Sequence, residues 1–306
     1  MLGLLRSLPG GKRVLEKAAS LIDQSLTPGS SDGGFYGGRY YNSAEAQKGS
    51  GYGRYERQSS HADALVTLLA NHFPLTTVLD VGCARGFVVE ALGELGVAAT
   101  GCDFSEYAIN TAARGARGHL RWADLSQRLP WADGEFSLVT CFETLEHLPP
   151  ELSAHAVSEL ARVSRGYVVA SIPSFGPRPP LPSGWFDGKM RDATANAAYV
   201  ALGPDYDGPV PLADLAVDER GNPIEGHLTI ASFRRWREVF EGAGLVRCAA
   251  VEAALYSATE QYNLAGFFDL YVFAKPGVPL EPIAGEALRQ RARDVLRPRK
   301  SLRQHG

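Results

Sequence analysis

Val78-Leu79-Asp80-Val81-Gly82-Cys83-Ala84-Arg85-Gly86 is the stretch on which the fold turns. An apolar run ends in a glycine-bearing turn, and the chain beyond Gly86 reads as a helix. Twenty-one residues after Gly82 an acid, Asp103, closes a second apolar run over Ala98–Cys102. A turn without bulky side chains lets a ligand lie against the backbone at the carboxyl edge of a parallel sheet. An acid at the tip of the next strand can accept both hydroxyls of a ribose. The spacing therefore points to a nucleoside-bearing cofactor. Dinucleotide sites use G-x-G-x-x-G so that a pyrophosphate can sit on the helix N-terminus. Here the string is D-x-G-x-A-x-G. An acid at Asp80 would repel a pyrophosphate but suits a cationic amino or sulfonium group.

On either side of this stretch strands alternate with helices. A helix is expected over His61–His72, with Ala62, Leu65, Leu68 and Leu69 on one face. Strands are expected at Thr77–Val81, Ala98–Cys102, His119–Trp122, Leu138–Phe142 and Tyr167–Ile172. Helices are expected at Gly86–Leu95, Glu106–Arg114 and Leu152–Val163. That alternation implies βαβ units and a mostly parallel sheet with helices on both faces. Beyond it, Phe233–Ala243 reads as a helix, and Leu245–Leu255 and Phe268–Lys275 as an antiparallel strand pair at the sheet edge.

Two segments break the rhythm. Residues 30–58 carry seven glycines and six aromatics, the composition of a loop that gains order by laying rings over something. Residues 173–226 form a long insertion rich in Pro and Gly, with Trp185, Phe186, Tyr199 and Tyr206 available to line an acceptor pocket. A short amphipathic helix is expected over Lys12–Leu26. The chain thus divides into an N-terminal helix and aromatic lid (1–58), a main domain (59–275) holding the insertion (173–226), and a basic tail (276–306).

Later segments fit one family. Asp103-Phe104-Ser105-Glu106-Tyr107-Ala108-Ile109, Trp122-Ala123-Asp124-Leu125, Leu129 to Phe136 and Cys141-Phe142-Glu143-Thr144-Leu145-Glu146-His147 follow the first motif in order. Together they resemble the class I S-adenosylmethionine-dependent methyltransferases of the small-molecule type, over about residues 59–275. Ala84 stands for that family's middle glycine and Ser137 for an acid. The resemblance implies a Rossmann-like seven-stranded sheet and S-adenosylmethionine as cofactor. By the same resemblance Asp80, Gly82, Cys83, Ala84 and Gly86 wrap the methionine part, and Asp103 takes the ribose hydroxyls. Phe104 flanks the adenine, Ala123, Asp124 and Leu125 close its pocket, and Phe142 lies beneath the sulfonium. Methyl transfer is mostly alignment, but a hydroxyl acceptor gains from a general base. His147 and His227 are the candidates, the first beside the fourth strand and the second where the insertion rejoins the body.

Composition limits the rest. The formal charge is −3, and 45% of residues are hydrophobic. Seven Arg or Lys lie in residues 288–306 against one acid, Asp294, so the body is acidic. An acidic body with an aromatic insertion argues against nucleic-acid targets. A small-molecule or glycan-type acceptor, methylated on oxygen, is expected, with membrane contact through the basic termini as a lesser alternative. Four well-separated cysteines predict free thiols and no metal site. No apolar run is long enough for a membrane span, which makes the cytoplasm the expected compartment. Two rival readings share the pattern, a nicotinamide-dependent oxidoreductase and a non-catalytic S-adenosylmethionine-binding module.

Overall fold

A computed structural model describes residues 36, 40–41, 55–179, 208–210, 226–262, 264 and 269–298. The helix expected over Lys12–Leu26, most of the lid, most of the insertion and the end of the tail fall outside these residues.

The strands are β1 (Thr77–Val81), β2 (Ala98–Asp103), β3 (Leu120–Trp122), β4 (Phe136–Phe142), β5 (Ser164–Ser171), β6 (Ser174–Phe175), β7 (Ala231–Ser232), β8 (Val246–Arg247) and β9 (Leu270–Ala274). The helices are α1 (Ala62–His72), α2 (Phe87–Glu94), α3 (Glu106–Asn110), α4 (Ser153–Val163), α5 (Phe233–Gly242), α6 (Ala249–Thr259) and α7 (Glu286–Val295). Seven strands form one sheet in the order β3-β2-β1-β4-β5-β9-β8, and β6 and β7 make a separate two-residue pair. From β3 to β5 all neighbours are parallel, whereas β9 runs antiparallel to both β5 and β8. The strand order reverses between β1 and β4. The crevice beyond their carboxyl ends is where sheets of this kind bind ligands.

Alternation along the strands sends side chains to two cores. On one face Val78, Leu138, Val169 and Val272 pack with Leu65 and Leu69 of α1, Leu92 of α2 and Leu255 of α6. On the other, Leu79, Val139, Val168 and Phe273 meet Leu160 of α4 and Trp236 and Phe240 of α5. Strands buried on both faces lose the polar alternation of a half-exposed sheet, which is why they read as continuous apolar runs. Capping is local in origin. Ser105 and Ser232 each accept a bond from the backbone N–H three residues on, Ala108 and Arg235, at 3.1 Å.

Three expectations are corrected. The run Leu245–Leu255 is a strand only at Val246–Arg247 and then becomes helix α6. Val251, Leu255 and Thr259 repeat every four residues and are buried. The one acid on the way, Glu252, is satisfied by Arg247 Nε at 2.7 Å and the Val272 N–H at 3.0 Å. Periodicity in a short apolar run does not separate helix from strand. The helix expected over Glu106–Arg114 stops at Asn110, and the Ala113 N–H bonds the Arg85 carbonyl at 2.8 Å instead. Third, residues 286–295 of the expected basic tail form a helix that joins the body. Ala292 and Leu296 are buried in the core beside α1, and Arg291 reaches the Leu95 carbonyl at 2.9 Å. Arg289 and Arg293 pair with Glu286 on the same helix.

The packing of α7 makes a clear expectation. Ala292→Asp puts an unpaired carboxylate into that core and should lower unfolding free energy by about 2–4 kcal/mol. Urea denaturation measures this; an unchanged midpoint would mean that α7 does not pack there.

Candidate active site

The crevice at the carboxyl ends of β1, β2 and β4 is a cavity, and its walls come from loops widely spaced in sequence. The turn after β1 supplies Gly82 and Ala84, and the tip of β2 supplies Asp103 and Phe104. The loop after β3 gives Ala123, Asp124 and Leu125. Phe142 and His147 line it from the end of β4 and the 3-10 turn that follows. Nine sequence-predicted site residues thus face one space. Asp80, Cys83, Gly86 and His227 do not line it, but each is built into its wall.

Asp80 lies on β1, buried, with its Oδ1 accepting from the Thr140 hydroxyl of β4 at 2.7 Å. Burial pushes its carboxyl up to about 7, against the Thr140 hydroxyl, which holds it down, while Asp103 adds a smaller upward push. Cys83 sits beneath the turn, and its side chain would meet a Cβ placed on Gly101. Burial drives its thiol well above the ordinary range, as it does for Cys102 and Cys141, so these cysteines are unreactive packing groups. Gly86 takes φ 76° as the residue before α2.

The turn itself is held by hydrogen bonds. Gly82 and Cys83 N–H groups both bond the Cys102 carbonyl, at 2.8 and 2.9 Å. The Ala84 N–H donates to Asp103 Oδ2 and the Ser105 N–H to Oδ1, each at 2.8 Å. Burial raises the Asp103 carboxyl, while these backbone donors oppose the shift. A carboxylate offers about four lone-pair positions, so acceptor capacity remains for a ligand's hydroxyls. Gly82 has φ 74°, and a Cβ there would collide with the Thr144 side chain. Ala84 adopts φ 47°, a left-handed conformation uncommon for a residue with a side chain.

The far end of the cavity joins three distant segments. His147 Nδ1 lies 3.0 Å from the Tyr36 hydroxyl and 3.1 Å from the Gly226 carbonyl. Its ring packs edge-on against His227 with centroids 5.2 Å apart. Glu146 Oε1 lies 3.9 Å from His147 Nε2 and 4.0 Å from His227 Nε2. The Leu228 and Thr229 N–H groups both bond the Glu146 carbonyl, at 2.8 and 2.9 Å, which fixes the re-entry of the insertion against the loop after β4. Burial pushes His147 down to about 4, with the Gly226 and Glu143 carbonyls opposing, so its imidazole is neutral at neutral pH. Glu143 has φ 49° and its N–H bonds the Ser171 carbonyl at 2.9 Å.

Several lining residues come from the aromatic stretch 30–58 or flank the predicted His147. Tyr36, Tyr40, Tyr41 and Tyr55 form part of the wall, with the Tyr36 carbonyl receiving the Ser105 hydroxyl at 2.8 Å. The aromatic composition of 30–58 signalled a lid without identifying which rings reach the cavity. Glu143, Thr144 and Glu146 went unassigned although they flank the predicted His147. Trp185, Phe186, Tyr199 and Tyr206 of the insertion lie outside the described residues.

Two expectations come from this geometry. Ala84→Gly relieves the left-handed strain and should leave stability unchanged or raise it by up to about 1 kcal/mol, whereas Gly82→Ala should cost more than about 2 kcal/mol; denaturant midpoints separate the two. For Asp80, the folded carboxyl binds its proton more tightly than the unfolded one. Its contribution is fully present below pH 4 and is lost as pH rises through about 7. Asp80→Asn should therefore gain on the unsubstituted protein by about 2 kcal/mol between pH 5 and pH 8. A pH-independent difference in denaturation curves would contradict this.

Comparison with known proteins agrees with this architecture. The family described as "Methyltransferase domain" matches residues 78–166. The ubiquinone biosynthesis O-methyltransferase of Azoarcus sp. is 36% identical over 95 residues, covering 28% of this chain and 39% of the relative. Its counterpart from Pseudomonas paraeruginosa is 37% identical over 82 residues, covering 25% and 35%. The chain therefore spans well under half the length of these relatives. Solved structures are more distant. Magnesium protoporphyrin IX methyltransferase from Synechocystis PCC 6803 has a TM-score of 0.43 at 16% identity, covering 72% of this chain and 84% of the other. A methyltransferase from Methanosarcina mazei has a TM-score of 0.47 at 17% identity, covering 68% and 96%. Residues 78–166 thus match the methyltransferase-domain family.

Proposed function

We propose that this chain binds S-adenosylmethionine in the cavity and transfers its methyl group to a hydroxyl of a small-molecule or glycan-type acceptor. The observation that carries the reading is the layout of a single cavity. Asp103, with spare acceptor capacity, stands at the strand tip, and a pair of histidines stands at the opposite end. The relatives named as O-methyltransferases support oxygen as the target atom, although only over the aligned third of their length.

When bound, the cofactor supplies a methyl group already activated on a cationic sulfur. In this reading Asp103 holds the ribose, and Phe104, Ala123, Asp124 and Leu125 enclose the adenine. The turn from Gly82 to Ala84 admits the methionine part against bare backbone. The Asp80 carboxyl lies behind that turn, where a bound cation would favour its ionised form. Tyr36, Tyr40 and Phe142 wall the acceptor side and exclude water. Such a site works chiefly by holding the acceptor oxygen in line with the methyl carbon. The acceptor's proton leaves at the His147 and His227 end of the cavity. The nicotinamide reading is disfavoured by the D-x-G-x-A-x-G string, which puts an acid behind the turn and lacks the G-x-G-x-x-G spacing that seats a pyrophosphate.

Calorimetric titration with S-adenosylhomocysteine, with NAD as paired control, tests the cofactor. Micromolar binding of the first alone is expected, and Asp103→Ala should weaken it by at least about tenfold. Binding of NAD alone would overturn the reading. With acceptor and saturating cofactor, His147→Ala and His227→Ala should each lower turnover by about 10²-fold. Full activity in both would remove the histidines from the chemistry.

A further inference from the structure

The sequence predicts no metal site, because the cysteines are scattered and acids at ligand spacing are few. The fold brings together what the sequence keeps eighty residues apart. Glu146, His147 and His227 each present a ligand atom, and these atoms lie within 4.8 Å of one another among the described residues. We infer that this cluster is a binding site for one divalent transition-metal cation, held by a carboxylate oxygen of Glu146 and the Nε2 atoms of His147 and His227.

The geometry of each ligand favours this. His147 Nδ1 is within hydrogen-bond distance of the Gly226 carbonyl at 3.1 Å, and a carbonyl can only accept. With the ring proton on Nδ1 and donated to that carbonyl, the lone pair lies on Nε2, the atom facing Glu146 at 3.9 Å. Histidines that ligate metals are held this way, with the second nitrogen donating to a carbonyl or carboxylate. The Tyr36 hydroxyl, 3.0 Å from the same Nδ1, gives the ring a further support. Glu146 is fully buried, and its two imidazole neighbours approach the same oxygen, Oε1. Its carbonyl accepts from the Leu228 and Thr229 N–H groups, which ties the re-entry segment to the strand-end loop.

Ligand atoms at 2.0–2.2 Å from a shared ion lie roughly 3.0–3.4 Å apart. The present 3.9 and 4.0 Å separations close to that range with side-chain movements of under roughly 1 Å. Two imidazoles with one carboxylate select a borderline ion such as zinc, cobalt, manganese or iron over calcium. Three protein ligands leave coordination positions open. The cluster also adjoins the cavity. His147 lines it, as do Gly226 and Leu228 on either side of His227. An acceptor hydroxyl reaching the open positions would be made more acidic and fixed in place beside the methyl donor. That role rests on the methyl-transfer reading, whereas the cation site rests on these side chains alone.

The test uses the full chain after EDTA treatment, titrated with Co²⁺ and followed by visible absorption and calorimetry. One equivalent should bind at micromolar affinity or tighter, giving d–d bands without a thiolate charge-transfer band, since all four cysteines are buried. Glu146→Gln, His147→Ala and His227→Ala should each weaken Co²⁺ by at least about tenfold. In the same variants S-adenosylhomocysteine affinity should stay within about threefold. No d–d bands in the unsubstituted protein would overturn the proposal, and so would a thiolate band or variants that bind Co²⁺ unchanged. The titration of the unsubstituted chain tests the site whether or not a variant folds. Co²⁺ binding without S-adenosylhomocysteine binding would keep the cation site and refute the methyl-transfer reading instead.

Discussion

The carboxylate of Asp103 ties the turn after β1 to the helix after β2. It receives the Ala84 N–H on one oxygen and the Ser105 N–H on the other, both at 2.8 Å. These are charge-assisted bonds in a buried setting, where water competes little. They act with the two bonds that Gly82 and Cys83 make to the Cys102 carbonyl. Together they force the turn into positive φ at Gly82, Ala84 and Gly86. That conformation opens the crevice at the point where strand order reverses. Without it the sheet would remain, but its carboxyl edge would have no mouth.

The opposite end of the crevice has a different origin. The loop after β4 bends through a left-handed Glu143 into the turn that carries Glu146 and His147. The segment re-entering from the insertion is pinned to it by the Glu146 carbonyl and by the Thr229 hydroxyl on the Leu148 carbonyl at 2.6 Å. Tyr36 reaches both ends, its own carbonyl on the Ser105 hydroxyl and its phenol beside His147. Its ring also meets Phe104 edge-on at 5.2 Å. Tyr36 thus spans the two ends of one cavity. Burial and the nearby carboxylates Glu146 and Asp103 raise its hydroxyl, so it stays protonated.

The sheet was legible because its strands are buried on both faces and so read as apolar runs separated by amphipathic helices. The turn after β1 was legible too, since glycines and an acid at that spacing have few other uses. Helix α6 was not, because alanines and valines pack equally well in either backbone and only the fit of Glu252 to Arg247 and Val272 settles it. The basic stretch of α7 read as a solvated helix or a disordered tail, since its apolar face is narrow. Its burial depends on α1 offering a complementary surface. Among described residues, no helix is long and apolar enough to cross a membrane.

By itself the sequence determined the βαβ order, the glycine-bearing turn after β1 and the acid at the next strand tip. Each of these is encoded within about thirty residues, where backbone propensity and burial pattern act locally. Only the tertiary structure decided which side chains share the far end of the cavity. Tyr36, Glu146, His147 and His227 come from three segments separated by roughly eighty to one hundred and ten residues. No local pattern records such a meeting, because the bonds that make it run between backbone groups that every residue possesses, and only the completed fold selects among them.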